Sequence, residues 1–168
     1  MKLSILNTNS KEDFLAVTGG PLEGELWLAE RVLEKRPFTS VQTLIEAFRS
    51  VINNATIDEK IRLISSHPDL APTVDTTLSE TSQKEQASAG LATLSSEEYQ
   101  EFQRLNHAYR EKFNFPFVIC ARENNKHSIL EQFALRLTHE REAEIEIGIQ
   151  EIIKIIRLRL IDLIDISE

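Results

Sequence analysis

The sequence predicts an all-α protein: a single compact helical domain over residues 1–168, with roughly seven or eight helices and a long C-terminal one. Three observations carry this. Apolar residues recur at i, i+3, i+4 spacing in most stretches between breaks. Those stretches open on capping side chains or acids and close at Asn, Gly or Pro. The one β-prone run, Phe117-Val118-Ile119-Cys120-Ala121, has no second run to pair with, so it reads as a buried extended connector.

In chain order, Ser10-Lys11-Glu12-Asp13 starts a first helix that ends at Gly19-Gly20-Pro21. A second covers Glu23 to Leu33 and breaks at Arg36-Pro37-Phe38. Ser40 caps a third, with Val41, Leu44, Ile45, Phe48, Val51 and Ile52 on its apolar face, and Asn53-Asn54 stops it. Thr56-Ile57-Asp58-Glu59 is a capping box opening a fourth, which runs to His67-Pro68. Residues 71–81 read as an irregular loop. Ser82-Gln83-Lys84-Glu85 opens a short helix ending near Gly90, and Ser95-Ser96-Glu97-Glu98 a longer one with Tyr99, Phe102, Leu105, Tyr109 and Phe113. His127-Ser128 leads into another. Thr138 begins the last, whose isoleucines wrap more than one face, so it is central or shared with a second subunit.

Composition narrows the function classes. The chain is 41% hydrophobic and carries a formal net charge of −8, which argues against nucleic acid or an anionic membrane surface as partner. A small anionic substrate remains compatible with a local cationic pocket. The single cysteine, Cys120, rules out an internal disulfide and fits a reducing, cytoplasmic setting. No signal peptide, membrane span or C-terminal peroxisomal signal is expected. The five glycines form no phosphate loop or dinucleotide fingerprint. His67, His107, His127 and His139 have no i, i+4 pairing and Cys120 stands alone, so neither a metal nor another cofactor is expected.

Three residues carry candidate chemistry. His67 sits before a proline, which drives it out of the α region. Such a corner either simply ends a helix or holds a titratable ring for proton transfer near neutral pH. Arg159 falls on an apolar face of the last helix with Ile145, Ile149, Ile152 and Ile156, so its donors need an anion or carbonyls. Either it forms a buried ion pair, to Glu85 for example, or it clamps a carboxylate or urea group. Glu85 is the closing member of a Ser82-x-x-Glu85 capping box, or else it presents itself with Ser82 and Gln86 to a ligand.

Taken together, Ser66-His67-Pro68-Asp69-Leu70-Ala71, Ser82-x-x-Glu85-Gln86-x-x-Ala89-Gly90-Leu91, Leu105-Asn106-x-x-Tyr109, Phe115 to Arg122 and Leu158-Arg159-Leu160 resemble the OHCU decarboxylase family. OHCU is 2-oxo-4-hydroxy-4-carboxy-5-ureidoimidazoline. The resemblance runs from about Phe14 to Leu163 and includes Trp27-x-Ala29-Glu30-Arg31. The chain departs from the family's pattern at Leu26, where a proline is usual, and at Pro72-Thr73, where Gly-Lys is common.

The resemblance implies a cofactor-free, homodimeric, all-α enzyme that converts OHCU to (S)-allantoin and carbon dioxide in urate catabolism. It makes His67 and Glu85 catalytic, His67 as proton donor and Glu85 as holder of ring or hydroxyl hydrogens. It makes Arg159 the partner of the ureido or ring carbonyl, and has Ser82 and Gln86 orient the ureido arm. Gln83 and Lys84 on the same helix fall within the implied substrate-binding set. Pro68 and the backbone of Phe117, Val118, Ile119, Cys120 and Ala121 would line the ring pocket. Two other classes remain open: a lyase or hydrolase acting on another ureido acid, and a non-catalytic ligand-binding helical dimer.

Overall fold

A computed structural model of the protein describes residues 1–73 and 75–164. Every regular element among them is helical. The α-helices are α1 (Leu3–Thr8), α2 (Lys11–Gly19), α3 (Leu26–Leu33), α4 (Val41–Asn53), α5 (Ile57–Ser65), α6 (Glu80–Ser88), α7 (Ser96–Phe113), α8 (Lys126–Arg136) and α9 (Arg141–Leu163). Two 3₁₀ turns, Gly20–Leu22 and Ala121–Glu123, join them. No described helix is long and apolar enough to cross a membrane.

The all-α expectation holds, but nine α-helices are present among the described residues where the sequence suggested seven or eight. The additional one is α1. It has six residues, and Lys2 before it supplies no capping side chain, so no start signal marks it. Elsewhere the start signals work. Ser40 and Thr43, Thr56 and Glu59, and Ser95 and Glu98 form reciprocal capping boxes at α4, α5 and α7. Three boundaries move. α3 begins at Leu26, three residues after Glu23, because Glu23 and Gly24 turn at positive φ. α9 begins at Arg141, three residues after Thr138. α6 begins at Glu80, with Ser79 as its cap, so Ser82-x-x-Glu85 is not a capping box. Three serine or threonine residues stand close together there, and spacing alone does not select among them.

The chain forms two compact units. The first comprises Met1–Ser66 and the segment from Ile153 onward. Its core joins Leu6, Phe14, Leu28, Val32, Leu44 and Phe48 with Ile156 and Leu160 of α9, all buried. The N-terminal ammonium donates to the Leu163 carbonyl at 3.0 Å, tying the chain's start to the end of α9.

The second unit, His67–Ile152, is built on aromatic packing. Phe117 stacks on Phe133 with centroids 3.7 Å apart, and Tyr109 meets Phe117 edge-on at 5.3 Å. Beside these rings lies a buried charged cluster. Glu144 Oε1 accepts from Arg136 Nε at 2.8 Å and from the Tyr109 hydroxyl at 2.6 Å. Glu144 Oε2 lies 2.9 Å from His139 Nδ1. Arg136 and Glu144 are 2% and 0% exposed, so each charge depends on the other for its solvation.

Two predictions follow from these contacts. Glu144→Ala leaves the Arg136 charge buried without its carboxylate and should cost about 3–5 kcal/mol in urea denaturation. Glu59 is held at about 2 by its hydrogen bond from Arg31 and by the Thr56 cap, and Glu98 at about 2 by Lys126 and the Ser95 cap. Folded values below the ordinary 4.5 mean that this stabilisation is complete above the unfolded pKa and is lost as pH falls through the folded one. Carboxyl NMR titration should therefore give midpoints near 2 for both groups, with stability declining between pH ~4.5 and ~2.

Candidate active site

α5 ends at Ser65, and the chain turns at Ser66 into the His67-Pro68 corner. His67 is 6% exposed. The corner is irregular, so its backbone groups need partners that no helix supplies. Side-chain amides provide them. Gln86 Oε1 accepts from the Ala71 amide at 2.9 Å, while Gln86 Nε2 donates to the Asp69 carbonyl at 3.1 Å. Asn106 Nδ2 donates to the Leu70 carbonyl at 2.8 Å, and Gln103 Nε2 to that of Ala71 at 2.6 Å. Arg110 pairs with the Asp69 carboxylate at 2.9 Å. These contacts hold Ala71 at φ 46°, a backbone region that an L residue with a Cβ adopts at a cost.

α6 presents two different faces. Ser82, Gln86 and Ala89 are buried, and Glu85 is half-buried. The Ser79 hydroxyl donates to Ser82 Oγ at 3.0 Å. Gln83 and Lys84 are exposed. They line a separate cavity of about 600 Å³ with Ala71, Leu78, Leu91 and Tyr99. Gln86 also borders it, so this helix contributes to the corner on one side and to the cavity on the other.

The segment Phe117 to Ala121 is buried and non-helical up to Cys120, as its composition suggested. Arg136 Nη1 donates to the Val118 carbonyl at 2.8 Å, and the Arg136 guanidinium lies 4.2 Å from the centroid of the Phe117 ring. Asn124 Nδ2 donates to the Cys120 carbonyl at 2.9 Å. The 3₁₀ turn that follows packs against α6. Burial pushes the Cys120 thiol up to about 11, with the carboxylates of Glu123, Glu151 and Glu85 adding to the shift. The second unit thus gathers His67 and Pro68, the Ser82–Glu85–Gln86 helix and the 117–121 segment.

Arg159 belongs to the first unit. It lies on the buried stripe of α9, as periodicity required, and its side chain is 5% exposed. Its Nη1 donates to Glu23 Oε1 at 2.8 Å and to the Pro21 carbonyl at 3.3 Å. An ion pair was one of the two sequence readings, and Glu23 is a carboxylate that Arg159 pairs with. Arg157, by contrast, is exposed.

Sequence reasoning missed Glu23, Gln103, Arg110 and the Arg136–Glu144 pair. One signal was available: Glu144 falls in helical register with Gly148 and Ile152 on a buried face, where a carboxylate needs a cation. Glu23, expected at the start of the second helix, instead lies in a turn at φ 51°, where no periodicity reports its direction.

The fold is an all-α scaffold that carries a buried histidine corner and a helix with a buried polar face. Family comparison places that scaffold. The OHCU decarboxylase family model matches residues 7–161, and the chain belongs to that family. A 2-oxo-4-hydroxy-4-carboxy-5-ureidoimidazoline decarboxylase of Xenopus laevis is 37% identical over 165 residues, covering 97% of this chain and 94% of the relative. Another, from Haloferax volcanii, is 35% identical over 160 residues, covering 95% and 94%. Among solved structures, an (S)-allantoin synthase superposes with a TM-score of 0.80 at 25% identity. All of this chain is covered, and 56% of that longer one.

With its thiol held near 11, Cys120 should resist a disulfide reagent such as DTNB at pH 8 in the native protein. It should react promptly once the protein is unfolded in guanidinium. Fast native labelling would contradict the burial described here.

Proposed function

We propose that the chain decarboxylates 2-oxo-4-hydroxy-4-carboxy-5-ureidoimidazoline to (S)-allantoin and carbon dioxide in urate catabolism, as a cofactor-free carboxy-lyase. The membership of the OHCU decarboxylase family supports the reaction, and the buried, pinned His67 corner supports a proton-handling site. On this reading residues 1–168 act as one OHCU decarboxylase-like catalytic domain, in a cytoplasmic homodimer.

The chemistry follows from the substrate. The bond from the ring to the carboxylate breaks, and its electron pair flows into the adjacent C=N. The intermediate then takes a proton at carbon from one face, which sets the S configuration. The substrate is its own electron sink. His67 donates the proton and hydrogen-bonds the hydroxyl. Glu85 holds a ring or hydroxyl hydrogen, a role that the capping alternative no longer competes with, since Ser79 caps α6. Ser82 orients the ureido arm. Gln86 uses one acceptor site and one donor on the corner's backbone, which leaves its amide a further donor and acceptor site for the same arm. Pro68 and the backbone of Phe117 to Ala121 line the ring, and Arg159 receives the ureido carbonyl. Gln83 and Lys84, on the opposite face of α6, enter only through a ligand that extends to the neighbouring cavity. Fixing the ring holds the breaking bond perpendicular to the π system, where orbital overlap lowers the barrier.

Circular dichroism of freshly generated OHCU tests this, with a no-enzyme control because the substrate decays unaided to racemic product. Wild type should accumulate (S)-allantoin rapidly. His67→Ala should lose about a hundredfold or more in rate with its helical spectrum intact. A wild-type trace matching spontaneous decay would refute the decarboxylase reading.

A further inference from the structure

We propose that Glu23 is a specificity-determining residue acting through Arg159: the pair receives a neutral carbonyl arm and turns away a carboxylate. The inference rests on the reading above, in which Arg159 meets the ligand. That ligand offers both groups, a ureido carbonyl and the carboxylate that must depart. A bare buried guanidinium prefers the carboxylate, because opposite full charges attract more strongly than a charge and a dipole. Capturing it there would stabilise the ground state of the group that leaves and misplace the ring.

The structure supplies a counter to that preference. Glu23 Oε1 is 2.8 Å from Arg159 Nη1, and both side chains are largely buried, at 13% and 5% exposed. The Pro21 carbonyl accepts from the same nitrogen at 3.3 Å. The guanidinium is therefore already neutralised at close range. An arriving carboxylate meets the repulsion of Glu23 as well as the attraction of Arg159, whereas a urea carbonyl needs only a polarised N–H. Discrimination comes from a repulsive element placed beside an attractive one.

The local backbone is consistent with a side chain that is specified and not incidental. Glu23 stands at φ 51°, directly before Gly24 at φ 83°. Two successive left-handed residues favour Gly or Asn at both places. A glutamate at the first of them accepts an unfavourable conformation. What it obtains is a short turn, closed behind the Gly20–Leu22 3₁₀ segment, that delivers its carboxylate to α9.

Two hydantoins test the idea by isothermal titration calorimetry. Allantoin carries a ureido arm and hydantoin-5-acetic acid a carboxylate arm on the same ring. Wild type should favour allantoin. Glu23→Gln should shift the ratio of the two dissociation constants toward the acid by about tenfold or more, equivalent to about 1.4 kcal/mol. Glu23→Asp should retain the wild-type ratio, and Glu23→Ala should shift it in the same direction as Glu23→Gln. The Glu23→Ala arm decides the matter if Glu23→Gln fails to fold.

An unchanged ratio in folded Glu23→Gln, or parallel weakening of both ligands, would overturn the proposal. An unchanged ratio in folded Glu23→Ala would do the same. Wild type that binds neither hydantoin would remove the ureido-ligand reading and this inference with it, an outcome distinct from an unchanged ratio.

Discussion

The second unit depends on satisfying the backbone of one irregular turn. A helical protein meets nearly all its main-chain hydrogen-bonding needs within its helices, so a buried non-helical corner is a liability unless side chains complete it. Residues 69–71 are completed by three amide side chains drawn from α6 and α7. Amides suit the task because each carries a donor and an acceptor without net charge. Gln86 shows the advantage: one side chain serves an N–H and a C=O of the same turn. His67 is positioned by this arrangement because it lies only two residues before the first pinned carbonyl.

A second constraint acts on the extended 117–121 segment. It has no neighbouring strand among the described residues, so its carbonyls also need external donors. Arg136 and Asn124 supply two of them. Using an arginine at 2% exposure for this purpose requires a buried counter-charge, and Glu144 answers that requirement while also accepting from Tyr109. Burial and that hydrogen bond push the Tyr109 hydroxyl well above its ordinary value, so it stays a donor throughout the neutral range. One buried charge thus entails a second, and the two join α7, α8, α9 and the extended segment.

The apolar girth of α9 raised the question of whether its isoleucines serve assembly or core. Ile145, Ile149, Ile152, Ile153, Ile155 and Ile156 are all buried within the chain itself. These six serve the core of the unit to which each belongs, and α9 contributes residues to both units. Ile147, Leu158, Ile161 and Leu163 on the same helix are half-exposed. Arg159 is a polar interruption of that stripe, and one of its partners lies in a turn 136 residues away in sequence.

The helical class, the caps of α4, α5 and α7, the break at His67-Pro68 and the burial of Phe117 to Ala121 were legible in the amino-acid sequence by itself. Each rests on local rules: helical periodicity, cap side chains and the steric effect of proline on its predecessor. The motifs also carried the family. Sequence periodicity further required that Arg159 have a partner, but it left the identity open between an ion pair and a ligand. Only the tertiary structure decided that Glu23 is a partner of Arg159, that Ser79 caps α6 in place of Ser82, and that Gln86 and Gln103 join Asn106 in completing the corner. It alone revealed the Arg136–Glu144 pair. These are contacts between residues eight to 136 positions apart, or choices among adjacent equivalent caps. Local pattern states what a side chain needs, and only the folded arrangement of the chain states which distant group meets the need.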